Sequence, residues 1–149
     1  MCYSWDMEIE RKFLLKNIPD DLENYPCTQI EQAYLCRKPV VRVRRNGDRF
    51  ELTCKGKGKM VREEINLPLS EEAYLSLRAK AEGTVIFKRR YRIPYGKYTI
   101  ELDHFEAPRA GLWLAEVEFP TEEEALSFVP PEWFGEDVTQ DKAYHNANM

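Results

Sequence analysis

The chain has 149 residues, with 22 Lys and Arg against 26 Asp and Glu, a net charge of −4. That length suits one domain with one core, and the acidic excess argues against a broad nucleic-acid-binding face. Charged residues make up 32% and aromatics 12%, a mixture that argues against a membrane protein and gives only weak support to disorder; no long apolar run offers a membrane-spanning helix.

The first strand is expected at 8–15, where Ile9 and Phe13 share one face and Glu8, Glu10 and Lys12 the other. Residues 1–6 read as an additional N-terminal segment, with Met7 as a natural start of the domain and no signal peptide ahead of it. A second strand falls at 29–36. The third, 40–45, sets Val41 and Val43 against Arg42 and Arg44. Asn46-Gly47 predicts a hairpin turn, with a return strand at 49–55 that sets Leu52 and Cys54 against Thr53 and Lys55. After Gly56–Lys59, Val61 and Ile65 oppose Arg62 and Glu64.

A helix is expected over about 70–82, with Ser70 as N-cap, Gly83 as C-terminal cap, and Ala73, Tyr74, Leu77 and Ala81 as its apolar stripe. Strands resume at 84–93 with Lys88 and Arg90, at 98–105 with Glu101 and Asp103, and at 112–119 with Glu116 and Glu118. A second helix fits about 121–128, capped by Thr121 and ended by Pro130-Pro131. Trp133 and Phe134 are expected to seal the core, and the tail 137–149 to add no domain.

The wet face of these strands is unusual. Each carries ionised groups, and their sign is segregated by strand: Glu8/Glu10, Glu101/Asp103 and Glu116/Glu118 against Arg42/Arg44 and Lys88/Arg90. On one strand this is a solvated face with cross-strand ion pairs. Across seven strands, like-charge pairs at i, i+2 call for a ligand of opposite sign. An eight-stranded antiparallel sheet whose apolar face lies under helices would close with its charges inside, which also removes exposed edges. The fold class expected is therefore α+β: a closed eight-stranded antiparallel barrel, or tunnel, with a charged interior and helices packed outside, formed by a single domain over 1–149. Clustered carboxylates suit Mg²⁺ or another hard cation, and guanidinium groups suit phosphate. A substrate that needs both is a polyphosphate. The two histidines, His104 and His145, are isolated and read as surface or hydrogen-bonding residues. The four cysteines, Cys2, Cys27, Cys36 and Cys54, form no C-x-x-C pair and read as reduced thiols of a cytoplasmic protein.

Glu8-x-Glu10-x-Lys12 resembles the E-x-E-x-K motif of the CYTH domain, the triphosphate tunnel metalloenzymes. Arg42-x-Arg44, Thr53-x-Lys55, Arg62-x-Glu64, Lys88-x-Arg90, Glu101-x-Asp103 and Glu116-x-Glu118 follow in the family's order, and 138–146 resembles its C-terminal segment. The resemblance implies a Mg²⁺- or Mn²⁺-dependent hydrolase of a triphosphate. Inorganic tripolyphosphate, cleaved to pyrophosphate and phosphate, is the substrate that small members of this pattern suggest. Adenylate cyclase, thiamine triphosphatase, nucleoside triphosphatase and a non-catalytic polyphosphate binder stay open as alternatives. By the family pattern Glu8, Glu10, Asp103, Glu116 and Glu118 bind metal, and Lys12, Arg42, Arg44, Lys55, Arg62, Lys88 and Arg90 hold phosphates. Lys12, Glu10 and Glu118 are the residues nearest the chemistry. Glu64, Glu101, Lys142 and Tyr144 support the lining or a mouth. The partner implied is a small-molecule triphosphate, with no membrane and no nucleic acid, and a homodimer is compatible with the chain. Tyr34 or Trp113 could stack on a nucleobase, although each reads first as packing.

Overall fold

The computed structural model describes residues 4–149. Residues 1–3, part of the expected additional segment, and with them Cys2, lie outside the described residues. The segment is not separate from residue 4 onward. Strand β1 runs Ser4–Leu15, and its first half pairs with β5, Val61–Leu69, from Ser4↔Asn66 to Ile9↔Val61. The remaining strands are β2 (Cys27–Arg37), β3 (Val40–Asn46), β4 (Arg49–Lys55), β6 (Glu82–Tyr95), β7 (Tyr98–Ala107), β8 (Trp113–Glu118) and β9 (Phe134–Asp137); the helices are α1 (Glu71–Arg78) and α2 (Glu122–Ser127).

The sheet order is β5-β4-β3-β2-β6-β7-β8-β1-β9, and the additional β1–β5 pairing closes the first eight strands into an antiparallel barrel. β1 makes closure possible by changing partner along its length. Residues 4–9 pair with β5, and Glu10–Phe13 pair with β8. Period-two alternation then fixes which side chains enter the barrel.

The outward apolar face is covered in two places. Helix α1 lays Tyr74, 1% exposed, over Ala33 and Val43, with Phe50 and Leu52 at the edge. Helix α2 and the segment after it bring Ala125, Phe128 and Phe134 onto Phe13, Leu102 and Val117. Among the described residues no helix is long and apolar enough to cross a membrane.

Both expected N-caps form: Ser70 Oγ accepts from Ala73 N at 3.1 Å, and Thr121 Oγ1 from Glu124 N at 3.1 Å. Gly83 does not cap α1, which ends at Arg78. The chain must rejoin the sheet at Glu82, opposite Tyr34. Gly83, at φ +74, passes over Arg37, where an added Cβ would stand 2.8 Å from the guanidinium. The β3–β4 turn is also shifted by one residue. Asn46 still pairs with Arg49, so Gly47-Asp48 makes the loop, and Gly47 alone takes a positive φ, of 63°.

Strand β9 was not expected, and the tail was placed only by resemblance, with Lys142 and Tyr144 at the lining or a mouth. β9 adds to β1 through Phe13↔Asp137 and Leu15↔Phe134. Thr139 then continues the pairing by a side chain: its Oγ1 accepts from Lys12 N at 2.9 Å, while Val138 N donates to Lys12 O at 2.9 Å. Val138 packs on Tyr34, Ile86, Phe105 and Leu114. Three of these five, Ile86, Phe105 and Leu114, lie on strands that also carry the charged lining; Leu114, for example, shares its face with Glu116. The interior is therefore not charged throughout. One part is an apolar floor that the tail completes.

Candidate active site

The rest of the interior is a cavity of about 1230 Å³. Its acidic side is set by register. β1 and β8 put Glu10 opposite Glu118 and Lys12 opposite Glu116, and Glu8 lies two residues before Glu10. Glu8, Glu10 and Glu118 each offer a carboxylate oxygen, and the three lie within 4.8 Å of one another. Three hard oxygen donors so placed fit a divalent cation of the Mg²⁺ type.

Neighbours only partly compensate this cluster. Lys55 Nζ reaches both Glu8 oxygens, at 2.8 and 3.1 Å, and stands 3.8 Å from Glu64; Arg62 Nε is 3.8 Å from Glu8. Burial, then Glu116 and Glu8, raise Glu10 to about 8, against the pull of Lys55 and Lys12. Burial and contact with Glu64 also raise Glu8, against Lys55. Glu118 is raised to about 8 by burial and by Glu101, Glu8, Glu10 and Glu64. Its side chain is open to solvent at the cavity mouth, so water screens that repulsion. Glu10, 3% exposed, is the better holder of a proton.

Glu116 behaves in the opposite way. Burial would raise it, but Lys12, Arg90, Lys88 and Lys55 hold it well below the usual carboxylate range. Lys12 Nζ is 3.6 Å away, and Glu116 with Glu10 keeps Lys12 protonated in spite of burial.

Several expected site residues are placed differently: Glu116, expected on the metal, pairs with Lys12 outside the trio, and Arg90, expected on a phosphate, is bound by Asp103 and Glu101. Asp103, expected beside the metal, is 0% exposed and does not line the cavity. Arg90 donates to its two oxygens at 2.7 and 2.9 Å, and Lys88 Nζ lies 2.7 Å from Oδ2. Burial would raise Asp103, but these two cations hold it down. Lys88, expected on a phosphate, is sealed in the same wall. Its Nζ also donates to Asn146 Oδ1 at 3.3 Å, and burial pushes it down to about 7 although Asp103 pulls the other way. Glu101, by contrast, lines the cavity and accepts from Arg90 NH1 at 3.2 Å.

Arg42, Arg44, Lys55 and Arg62 form the basic side. The Nε atoms of Arg42 and Arg62 are buried without a hydrogen-bond partner. Lys142 lines the cavity; Tyr144 does not, packing on the tail's apolar cluster and offering its backbone oxygen to Lys12 at 3.5 Å. Trp113 faces away from the cavity, stacked on His104 at 4.0 Å, while Tyr34 lines it. His145 is buried, with Nε2 3.0 Å from Thr139 O, and also lines the cavity. Gln32, Glu51 and Asn66 went unread as site residues. Alternation could have flagged Gln32 and Asn66 at even positions of β2 and β5, but these uncharged side chains gave no signal; Glu51 shares the odd-numbered face of β4 with Thr53 and Lys55 and was open to the same reading.

A closed barrel with a carboxylate trio on one side and, on the other, the guanidinium groups of Arg42 and Arg44 without an acidic partner is a container for a metal cation and a polyanion together. The CYTH domain family model matches residues 6–142, and the chain belongs to that family, whose tunnel metalloenzymes use a divalent metal. It is 38% identical over 145 residues to the inorganic triphosphatase of Nitrosomonas europaea, covering 93% of each chain. It is 32% identical over 146 residues to the inorganic triphosphatase of Acetivibrio thermocellus, covering 95% of this chain and 92% of that one. The crystal structure of the inorganic triphosphatase NE1496 superposes with a TM-score of 0.68 at 34% identity, covering 95% of this chain and 92% of that one.

Proposed function

We propose that this chain hydrolyses inorganic tripolyphosphate to pyrophosphate and phosphate with bound Mg²⁺ or Mn²⁺. The observation that carries the reading is the carboxylate trio Glu8, Glu10 and Glu118 lining one cavity with Arg42 and Arg44, which no carboxylate pairs, while Arg62 stands beside Glu8. The relatives named inorganic triphosphatase support the substrate.

In this reading Glu8, Glu10 and Glu118 hold the metal, which when bound neutralises phosphate charge and helps to activate water. Lys12, Arg42, Arg44, Lys55 and Arg62 hold the phosphate chain in line. Catalysis by such a site is mostly positioning and charge stabilisation. Water adds to a terminal phosphorus and gives up its proton to solvent, the bridging P–O bond breaks, and pyrophosphate leaves with the electron pair. Lys12, kept protonated between Glu116 and Glu10, is placed to stabilise the charge that develops on the phosphoryl oxygens. Glu116 holds Lys12, and Asp103 with Glu101 holds Arg90. Lys88 stands behind the lining as part of the wall. The free thiols Cys27, Cys36 and Cys54 fit a reducing compartment such as the cytoplasm.

The test is phosphate release from tripolyphosphate, ATP and thiamine triphosphate with each metal. Tripolyphosphate should be the preferred substrate. Failure to turn over any of the three ends the reading, and cyclic AMP with pyrophosphate from ATP would replace it with a cyclase.

A further inference from the structure

The lining arginines divide by what holds them. Arg90 is matched by acids: Nε and NH2 go to Asp103, and NH1 goes to Glu101. Its charge is cancelled within the wall. Arg42 and Arg44, on β3, are held by neutral groups instead. Arg42 NH2 donates to Thr53 Oγ1 at 3.2 Å, and Arg44 Nε donates to Gln32 Oε1 at 2.8 Å. Among the described residues no carboxylate oxygen lies within 4.0 Å of either guanidinium. Glu51 stands opposite Arg44 on β4 but closes no pair with it.

Gln32 is 0% exposed and lies directly opposite Arg44 on the neighbouring strand. Its oxygen takes Arg44, so its amide nitrogen faces the Tyr34 hydroxyl, to which it donates at 3.3 Å. A carboxylate could do the first but not the second. It would also be the residue that favours stability. Burial, Arg42 and Arg90 together press Arg44 down to about 10, and an anion at position 32 would relieve that. The chain has an amide there, which fixes the guanidinium without cancelling its charge.

We propose that Gln32 is a positioning residue of the anion site: it anchors Arg44 through Nε, leaves NH1 and NH2 for a polyphosphate, and by its neutrality keeps that charge available. The proposal rests on the reading of the cavity as a polyphosphate site. It separates two roles that usually coincide, because the variant that strengthens the wall should weaken the ligand.

The experiment compares wild type, Q32E and Q32M. Thermal midpoints and calorimetric affinity for tripolyphosphate are measured in EDTA, and steady-state kinetics with Mg²⁺. Q32E should melt higher than wild type yet bind tripolyphosphate at least tenfold more weakly, with KM raised more than kcat is lowered. The dependence of its binding on salt should be shallower, since one cation has been cancelled. Q32M should bind more weakly without gaining thermal stability. If Q32E binds within twofold of wild type, or if stability and affinity fall together as for a purely structural residue, the proposal is overturned; it is overturned equally if wild type binds no tripolyphosphate. A wild type that binds but does not hydrolyse tripolyphosphate, beside a weak-binding Q32E, upholds Gln32 while ending the catalytic reading. Normal hydrolysis beside an unimpaired Q32E overturns the role of Gln32 alone.

Discussion

Replacing Glu10 by Gln should separate what the carboxylate trio costs the empty protein from what it gives the loaded one. Glu10 is raised from 4.5 to about 8 in the folded state. A raised carboxylate leaves stability intact below its unfolded value, and that stability is lost as pH rises through the folded one. Between pH 4.5 and 8 the unfolded chain releases a proton that the folded chain retains. At 1.36 kcal/mol per unit the full difference is on the order of 5 kcal/mol. Glu8 and Glu118, whose oxygens lie within 4.8 Å, share in it. E10Q should therefore recover at least about 2 kcal/mol by pH 8, a gain of roughly 4–8 °C for a chain of this size.

The measurement is thermal unfolding by circular dichroism in EDTA and in excess Mg²⁺ or Mn²⁺, from pH 4.5 to 9. In EDTA the advantage of E10Q should grow with pH and level off near 8. With metal the order should reverse, because a bound cation stabilises only the protein that binds it. Phosphate release should fall by a hundredfold or more. If E10Q melts below wild type in EDTA at pH 8, Glu10 is an ion-pair partner of Lys12 and Lys55 and the metal assignment is wrong.

Asp103→Asn should leave metal-dependent stabilisation in place while lowering stability by about 3–5 kcal/mol, since Arg90 and Lys88 lose a buried partner; titration of the thermal midpoint with Mg²⁺ checks both halves. Thr139→Val should cost about 1–2 kcal/mol, because Lys12 N loses its acceptor in the β1 ladder. Amide exchange should then quicken across the tail before it quickens in β7 and β8.

The alternation of β4 was legible to the residue: it is expected at 49–55 and observed as Arg49–Lys55. So was the face on which each ionised side chain lies. What alternation does not carry is depth. Along β8, Leu114, Glu116 and Glu118 share one face, yet Leu114 is part of the apolar floor, Glu116 is 6% exposed and Glu118 opens to solvent. Glu101 and Asp103 likewise share a face, but the register of β7 against β6 puts Asp103 opposite Arg90 and Glu101 opposite Arg92. Sequence period gives inside or outside; strand stagger decides mouth, middle or floor, and stagger depends on partners remote in the chain. The tail was reached only through resemblance, and its fold was not read, for a related reason. Its order comes from bonds to Lys12, Arg37 and Arg109, and no local periodicity reports these.

The barrel could have resolved its charges internally, as Asp103, Arg90 and Lys88 do. Elsewhere in the cavity it does so only in part, through Lys55 and Arg62 on Glu8 and Lys12 on Glu116. Glu8, Glu10 and Glu118 meet one another across the β1–β8 seam, while Arg42 and Arg62 keep buried Nε atoms without acceptors. Both halves are unfavourable for the same reason: each sets like charges close together on buried or half-buried side chains. A cation alone relieves the first half, and a polyanion alone the second. A polyanion seated against the bare carboxylates would still be repelled by them. The two ligands should therefore bind with positive coupling, and by linkage the factor by which metal tightens tripolyphosphate must equal the factor by which tripolyphosphate tightens metal. In Q32E, where one unit of basic charge is cancelled, and in E10Q, where one unit of acidic charge is gone, that shared factor should shrink from opposite sides of the cavity.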